Sequence, residues 1–374
     1  MNIYSDERVV MTLDAGGTTF VFSAYQAGNE IIGPMVRPSH ADDLEKCLKT
    51  ICEVFKQIMD LLSDPPVAIS MAFPGPADYK NGIIGDPPNF PAFRGGVALG
   101  SMLKGIFGLP VFINNDGDLF TYGEAMGGFL PEINEKLKTL GIDREYKNLF
   151  GVTLGTGFGG GLVINGQLCR GDNSASGEIW LTRNLLNQKL IAEESVSIRA
   201  IINFYKDSTG EKRDLSPKDI FDIAIGRTPG EQNIAHQAFE NMAVVIGESL
   251  AHVMTLIDTP VVIGGGIAGA SSLVLPKVMG HLNGLIEMDQ GKKVPRVVSQ
   301  VYNVDDVESW TRFITDKVYE IEVPFCAGET VWYRPEKKIP IGLSRLGTNR
   351  AIAIGAYAFS LRQLETVPRH PQAN

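Results

Sequence analysis

The chain has 374 residues, a formal net charge of −9, 44% hydrophobic residues and a mean hydropathy of +0.02. That length suits two ordinary domains with a large core, and the acidic balance excludes nucleic acid as a main partner, since phosphate contacts need a basic surface. Cys47, Cys52, Cys169 and Cys326 are scattered without a CxxC pair, there is no signal h-region, and no apolar run approaches the ~18 residues of a membrane span, so a cytoplasmic protein without membrane contact is expected.

Val9 to Leu13 is an apolar strand running into Asp14-Ala-Gly-Gly-Thr-Thr, and Phe20 to Tyr25 is strand-like again. Asp14 at the strand end can hold magnesium through water, and the backbone of Gly16, Gly17 and Thr18 can meet a phosphate. An ordinary Asp-Gly hairpin turn accounts for the same residues. Residues 42–62 form an amphipathic helix, with Leu44, Leu48, Ile51, Phe55, Ile58 and Leu62 at helical spacing and Cys47 and Cys52 on or beside the stripe. The strand Val67 to Phe73 breaks at Pro74-Gly75-Pro76. In the proline-rich loop that follows, Asn89 either bonds a hydroxyl-rich ligand or simply sits in a stiffened turn.

Residues 97–107 read as a helix. They lead into an apolar strand ending in Asn114-Asn115-Asp116-Gly-Asp118, then a helix from Leu119 to Met126. A carboxylate at a strand's carboxyl end, beside a helix start, is where α/β enzymes keep catalytic groups, although such an acid also caps helices. Two acids permit both roles, with Asp118 as the cap and Asp116 facing the cleft. Residues 131–148 are charged and read as a surface excursion. Gly151 to Leu168 then reads as strand, glycine turn and strand, in which Gly155, Thr156, Gly157 and Gly159 to Gly161 remove nearly every side chain. A turn without Cβ atoms can present clustered N–H groups to a phosphate, or it is a hairpin with excess glycine.

A polar loop, Arg170 to Gly177, leads to Glu178-Ile-Trp-Leu, where Glu178 either binds a hydroxyl or is a surface acid. Helices follow at Ser195 to Phe204, from Ser216 with Pro217 in its first turn, and over 230–257. His236 and His252 on that long helix have no Cys or His partner at metal spacing. The strand Pro260 to Ile263 enters Gly264-Gly265-Gly266-Ile-Ala-Gly, which fits G-x-G-x-x-G and has Glu287 at about the distance of a ribose-binding acid. A dinucleotide fold is therefore a rival, weakened by the long helix ahead of the turn and by the lack of a βαβ continuation over 279–295. Residues 284–340 are mixed and strand-like, Lys337-Lys338 reads as a solvated face, and Thr348 to Leu361 is a closing helix.

Taken in order, these turns resemble the sugar kinase/Hsp70/actin superfamily and, within it, the ROK family of repressors, open reading frames and kinases, from about Val10 to Leu361. Asp14-Ala-Gly-Gly-Thr-Thr is similar to the family's first phosphate motif, and Phe73-Pro-Gly-Pro-Ala and Pro88-Asn-Phe to its sugar-side loops. Asn114 to Asp118 resembles the catalytic segment, Leu154 to Val163 the second phosphate motif, and Gly264-Gly-Gly-Ile the adenosine-side turn. The resemblance implies an α/β, two-domain actin-like ATPase (ribonuclease H-like) fold with an interdomain cleft, the smaller domain spanning 1–116 plus 347–362 and the larger 117–346. It implies ATP-dependent phosphorylation of a sugar hydroxyl (hexose, amino sugar or derivative) with Asp116 as general base and Asn89, Asn115 and Glu178 on the sugar. ATP would lie on Asp14, Gly16, Gly17, Thr18, Gly155, Thr156, Gly157, Gly264, Gly265 and Gly266, with Mg²⁺ near Asp14, and a homodimer is the family expectation.

Three departures accompany the resemblance. Thr19 stands where a lysine commonly ends the first motif, and the family's Glu-x-Gly-His appears as Glu178-Ile-Trp180-Leu181. The cysteine-rich zinc motif is missing, so no structural zinc is expected. Trp180 either stacks on a sugar face or fills the core, with the core favoured. A catalytically silent sugar-binding or sugar-sensing relative without a DNA-binding domain is the alternative. A DNA-binding regulator is disfavoured by the acidic balance and by the dozen or so residues ahead of Asp14.

Overall fold

The structure, a computed structural model, describes residues 2–366. Its main elements are β1 (Val9–Ala15), β2 (Thr19–Gln26), β3 (Asn29–Pro38), α1 (Leu44–Leu61), β4 (Pro66–Ala72), α2 (Leu99–Phe107), β5 (Val111–Asn114), α3 (Asp116–Gly127), α4 (Phe129–Thr139), β6 (Leu149–Leu154) and β7 (Phe158–Ile164). They continue with α5 (Ile198–Thr209), α6 (Pro217–Ala224), α7 (Gln232–Ile257), β8 (Val261–Gly264), α8 (Ser271–Leu282), β9 (Gln300–Asn303), α9 (Val307–Ile314), β10 (Tyr319–Glu322), β11 (Thr330–Tyr333), β12 (Lys338–Leu343) and α10 (Thr348–Thr366). The described chain divides into two compact units, one of residues 2–132, 160–177 and 344–366, the other of 133–159 and 178–343.

The first unit carries a sheet in the order β3-β2-β1-β4-β5. β1 pairs antiparallel with β2 and parallel with β4, and β5 joins parallel to β4. β1 is apolar along nearly its whole length because its neighbours leave it almost no open face. α1 starts where the Asp43 side chain accepts from Lys46 N, and it buries Ile51, Val54, Phe55 and Ile58. Its Phe55 ring meets Phe22 of β2 edge-on, 5.3 Å between centroids.

α3 and α10 cross in the same unit through glycine. A Cβ on Gly123 would lie 1.9 Å from Ala351 O, and one on Gly355 would lie 1.9 Å from Leu119 O. The two backbones thus touch at a distance that only hydrogen side chains permit. This packing keeps all of α3 with the first unit, so the division falls at 132/133 where the sequence suggested 116/117. Residues 160–177 also return to the first unit.

The second unit is built on parallel strands in the order β6-β8-β12-β9. The expected surface excursion at 131–148 contains α4, whose Ile133 and Leu137 are fully buried. Asn134 ties this helix to Tyr146, accepting from its N–H at 2.9 Å and donating to its carbonyl at 2.8 Å. Residues 284–340 resolve into an exposed hairpin (Leu285–Glu287 with Lys293–Pro295), β9, α9, and the β10–β11 hairpin ahead of β12.

Lys338 corrects the expectation of a solvated lysine pair. Its Nζ is fully buried and donates to the carbonyls of Arg312, Phe313 and Thr315 at 2.9, 3.2 and 2.6 Å. Those are the last carbonyls of α9, left without helical partners, and a cation suits that end of the dipole. Asp316 completes the pairing at 3.2 Å. Lys337 remains exposed.

Candidate active site

In the first unit, parallel register sets Asp14 beside Ala72 and Ala72 beside Asn114. The strand ends carrying Asp14 and Asn115-Asp116 therefore share the carboxyl edge of one sheet, the usual place for a site in such a fold. Asp14 is half-buried, and its pKa is pushed up to about 7 by burial, with the charge of Asp116 adding to the effect. Asp116 retains open surface, so a solute can reach it, yet the protein around it thins its hydration and raises its pKa too. The N–H of Gly117, 2.9 Å from Asp116 Oδ1, pulls in the opposite direction.

α3 begins at Asp116, three residues before the sequence suggested, and its cap is Asn115. Asn115 Oδ1 accepts from Gly117 N at 2.8 Å, while Asp118 lies in the first turn, buried. Capping by Asp118 is thus corrected: an acid at that position is already inside the helix. Asn115 Nδ2 lies 3.5 Å from Tyr79 Oη, which itself donates to Phe73 O at 3.0 Å. Asn89 is exposed and sits against the first glycine turn, where a Cβ on Gly17 would come within 3.0 Å of its own Cβ. Gly16 N closes that turn onto Thr19 O at 3.0 Å, and Ser39 holds it by donating to the carbonyls of Gly17 and Thr18.

The central glycine run divides by task. A Cβ on Gly161 would meet Gly117 O at 2.5 Å, and one on Gly117 would meet Gly160 O at 2.6 Å. Gly160 and Gly161 thus let β7 lie against the backbone that carries Asp116. Arg170, just after this arm, donates to Asn114 Oδ1 at 3.2 Å and stacks on the Phe359 ring. No local pattern marked that arginine.

In the second unit, Gly155 N donates to Gly157 O at 3.0 Å, and Gly155 O accepts from Ile198 N at 2.9 Å, the first residue of α5. Thr156 is exposed at the tip. Glu193 Oε2 accepts from Phe158 N at 3.0 Å and occupies the space a Cβ on Gly157 would need. Sequence reading missed Glu193, because its partner is a backbone group 35 residues away. Gly265, at φ +92, packs on the strand leading into this turn, since a Cβ there would lie 2.3 Å from Leu154 O. Gly264 is buried and Gly266 open. Leu154 to Gly157 and Gly264 to Gly266 are thus adjacent. The dinucleotide rival weakens further: after α8 the next parallel strand begins only at Gln300, and Glu287 sits on the exposed intervening hairpin.

Glu178 is exposed and accepts a hydrogen bond from Trp180 Nε1. Trp180 is only half-buried, which corrects its placement in the core; Ile179 takes the core position instead. Downstream, the fully buried Asn184 holds the loop. Its Oδ1 accepts from Leu186 N and Asn187 N at 2.9 and 3.2 Å, and its Nδ2 donates to Ser195 Oγ and Ile191 O at 2.8 and 3.3 Å.

A profile of the ROK family matches residues 10–303. The chain belongs to the ROK family. A crystal structure of glucokinase from Parabacteroides distasonis superposes with a TM-score of 0.87 at 51% identity, covering 97% of this chain and 99% of that one. N-acetyl-D-glucosamine kinase of Vibrio cholerae is 27% identical over 273 residues, 68% of this chain and 83% of that kinase. Glucokinase of Thermotoga maritima is 31% identical over 168 residues, 45% of this chain, and the match spans 48% of that relative's length. A ROK family glucokinase from Streptomyces griseus, solved with glucose and AMPPNP, shares the fold at 20% identity and a TM-score of 0.59. The fold of this ROK protein is accordingly that of the actin-like ATPases. Among the described residues, no helix is long and apolar enough to cross a membrane.

Proposed function

We propose that this ROK protein is an ATP-dependent carbohydrate kinase that phosphorylates a hydroxyl of a hexose, amino sugar or derivative, with Asp116 as general base. The observation that carries the reading is Asp116 itself, reachable at the first turn of α3 and on the same sheet edge as Asp14. Its raised pKa makes it a stronger base than a free carboxylate, and an acceptor for the proton of an attacking hydroxyl. The α3 dipole favours its ionised form. Gly16, Gly17 and Thr18, and likewise Gly155, Thr156 and Gly157, offer backbone N–H groups to phosphate, while Gly264 to Gly266 take the adenosine side.

Asp14 and Asp116 end neighbouring stretches of one sheet edge, and their carboxylates offer the oxygen donors that a hard divalent cation takes. Asp14 would hold Mg²⁺, which when bound with ATP neutralises phosphate charge. Asn89, beside the first turn, and Asn115, at the cap of α3, would bond sugar hydroxyls. Glu178 is held on one oxygen by Trp180, and the other remains for a hydroxyl. Sites of this kind reject sugars that lack the bonded hydroxyl. A need for ATP fits a cytoplasmic location.

A coupled ADP assay with Mg-ATP and a sugar panel led by glucose and N-acetylglucosamine tests the reading. Turnover on at least one sugar is expected. Sugar binding without turnover on any of them would favour the silent alternative. Asp116→Asn should lower kcat by about 10²–10⁴-fold while sparing sugar affinity; a full rate in that variant moves the base elsewhere.

A further inference from the structure

Glu124 lies about two helical turns after Asp116 on α3, and it is fully buried. Its carboxylate collects four donors. Phe129 N donates to Oε2 at 2.7 Å, Leu346 N to Oε1 at 2.9 Å, and Arg345 N to both oxygens at 3.1 and 3.2 Å. The Ser344 hydroxyl donates to Oε1 as well, and its oxygen in turn accepts from Gly347 N at 2.9 Å. Gly128 makes the room, since a Cβ there would lie 2.2 Å from Oε2. Each of these partners donates, so the position calls for a side chain that only accepts. A glutamine there would turn an amide N–H toward one of those donors.

The donors come from two places in the chain. Phe129 opens α4, which follows α3 directly, and Ser344 to Leu346 form the step from β12 into α10. The two places also hold each other: the Arg345 guanidinium stands over the Phe129 ring at 5.3 Å, and its Nε lies 3.1 Å from Glu132. Main-chain contact at Gly123 and Gly355 fixes how closely α3 and α10 approach. The bonds to Glu124 add a direction along the helix axis, because hydrogen bonds weaken steeply off line. A slip of one residue along that axis would carry Asp116 by ~1.5 Å, and a misplacement of about 1 Å can cost ~10²-fold in rate.

We propose that Glu124 is a positioning residue for the phosphoryl transfer: it holds α3 along its axis so that Asp116 stands where the attacking hydroxyl arrives. The inference rests on the reading of Asp116 as the base. Glu124 is enclosed, so it acts through the helix and not on a substrate. Its loss is felt mainly in kcat, which depends on the base. Asn115 caps the same helix and moves with it, so sugar binding weakens somewhat. ATP is spared, because the glycine turns proposed for it lie outside α3.

A double-mutant cycle on the full chain tests this, in the coupled ADP assay with Mg-ATP and the sugar it turns over best. Glu124→Gln should lower kcat by about 10–100-fold, with KM for ATP unchanged and KM for sugar raised by no more than about three-fold. In an Asp116→Asn background the same change should lower the rate hardly further, because the group it positions is gone. A merely structural Glu124 would slow both backgrounds equally, and that additivity overturns the proposal. So does a Glu124→Gln enzyme with the wild-type kcat. Ser344→Ala removes one donor at a half-buried residue and covers the case in which Glu124→Gln does not fold. It should lower kcat by about 2–10-fold, again only while Asp116 is present; additivity in this second cycle overturns the proposal equally. Full rate in Asp116→Asn, or a wild type that turns over no sugar, removes the reading beneath the proposal and the proposal with it. Additivity beside a slow Asp116→Asn removes the proposal alone.

Discussion

The backbone that carries Asp116 and the loop that carries Glu178 are held by opposite means. Around Asp116 the constraint is main chain on main chain: Gly117 against Gly160 and Gly161, and Gly123 and Gly355 where α3 meets α10. Around Glu178 it is made by side chains: Trp180 bonds the Glu178 carboxylate, and Asn184 bonds Ser195 Oγ and Leu186 N. Contacts between backbones admit no substitution, because any Cβ displaces the partner strand or helix. Contacts made by a side chain can be rebuilt with other chemistry. The proposed base thus stands on geometry fixed by backbone contacts, and the proposed sugar contact on side chains that other chemistry could replace.

The largest expected effect probes the first region. Gly355→Ala places a methyl group 1.9 Å from Leu119 O and should destabilise by about 3 kcal/mol or more, seen as a lower midpoint in denaturant with turnover falling alongside. A variant as stable as wild type would remove the rigid half of the contrast. Asn184→Ala comes next. It removes the buried amide that ties Leu186 N, Asn187 N, Ile191 O and Ser195 Oγ together, at a cost of about 1–3 kcal/mol, and KM for the sugar should rise more than kcat falls. If KM holds while kcat collapses, the loop does not serve the sugar.

Trp180→Phe keeps the ring and removes one hydrogen bond, so KM for sugar should rise by roughly 2–10-fold at unchanged kcat; an unchanged KM detaches Trp180 from Glu178's orientation. A further effect is a stability difference set by pH. Asp14 ionises at about 7 in the folded chain against 3.8 ordinarily, so folding disfavours its charge above pH 3.8, and the penalty is complete above about 7. In metal-free buffer Asp14→Asn should raise Tm at pH 8, with the gain fading as pH falls toward 4. A gain that is constant with pH would assign it to something other than the carboxylate.

The candidate site was legible in the sequence wherever a residue's placement is set by its own neighbours. Asp14, Asp116 and the three glycine turns are local features, each a strand end joined to a turn, and the structure sets them where strands end. Glu193 and Arg170 were not legible, because each bonds a group set by the fold, 35 residues away for Glu193 and Phe158 and 56 for Arg170 and Asn114. Trp180 was misplaced for a related reason: a single 3-10 turn has too few residues for periodicity to show which one points inward, and Ile179 does. The cap of α3 was misassigned by three residues because Asn115, Asp116 and Asp118 are all competent caps and only the strand length decides between them. Lys338 was misread because its burial is decided by carbonyls of α9, more than 20 residues earlier.

That lysine also gives the second unit a gauge of its own. Its amine is enclosed on every side and every donor is engaged, so an acylating reagent can reach it only when the end of α9 parts from β12. Exposed lysines such as Lys218 will be modified at once, whereas Lys338 will be modified at the rate of that local opening. The time course of one peptide in a mass spectrum therefore reads how often the root of the β10–β11 hairpin lets go, without unfolding the rest of the chain.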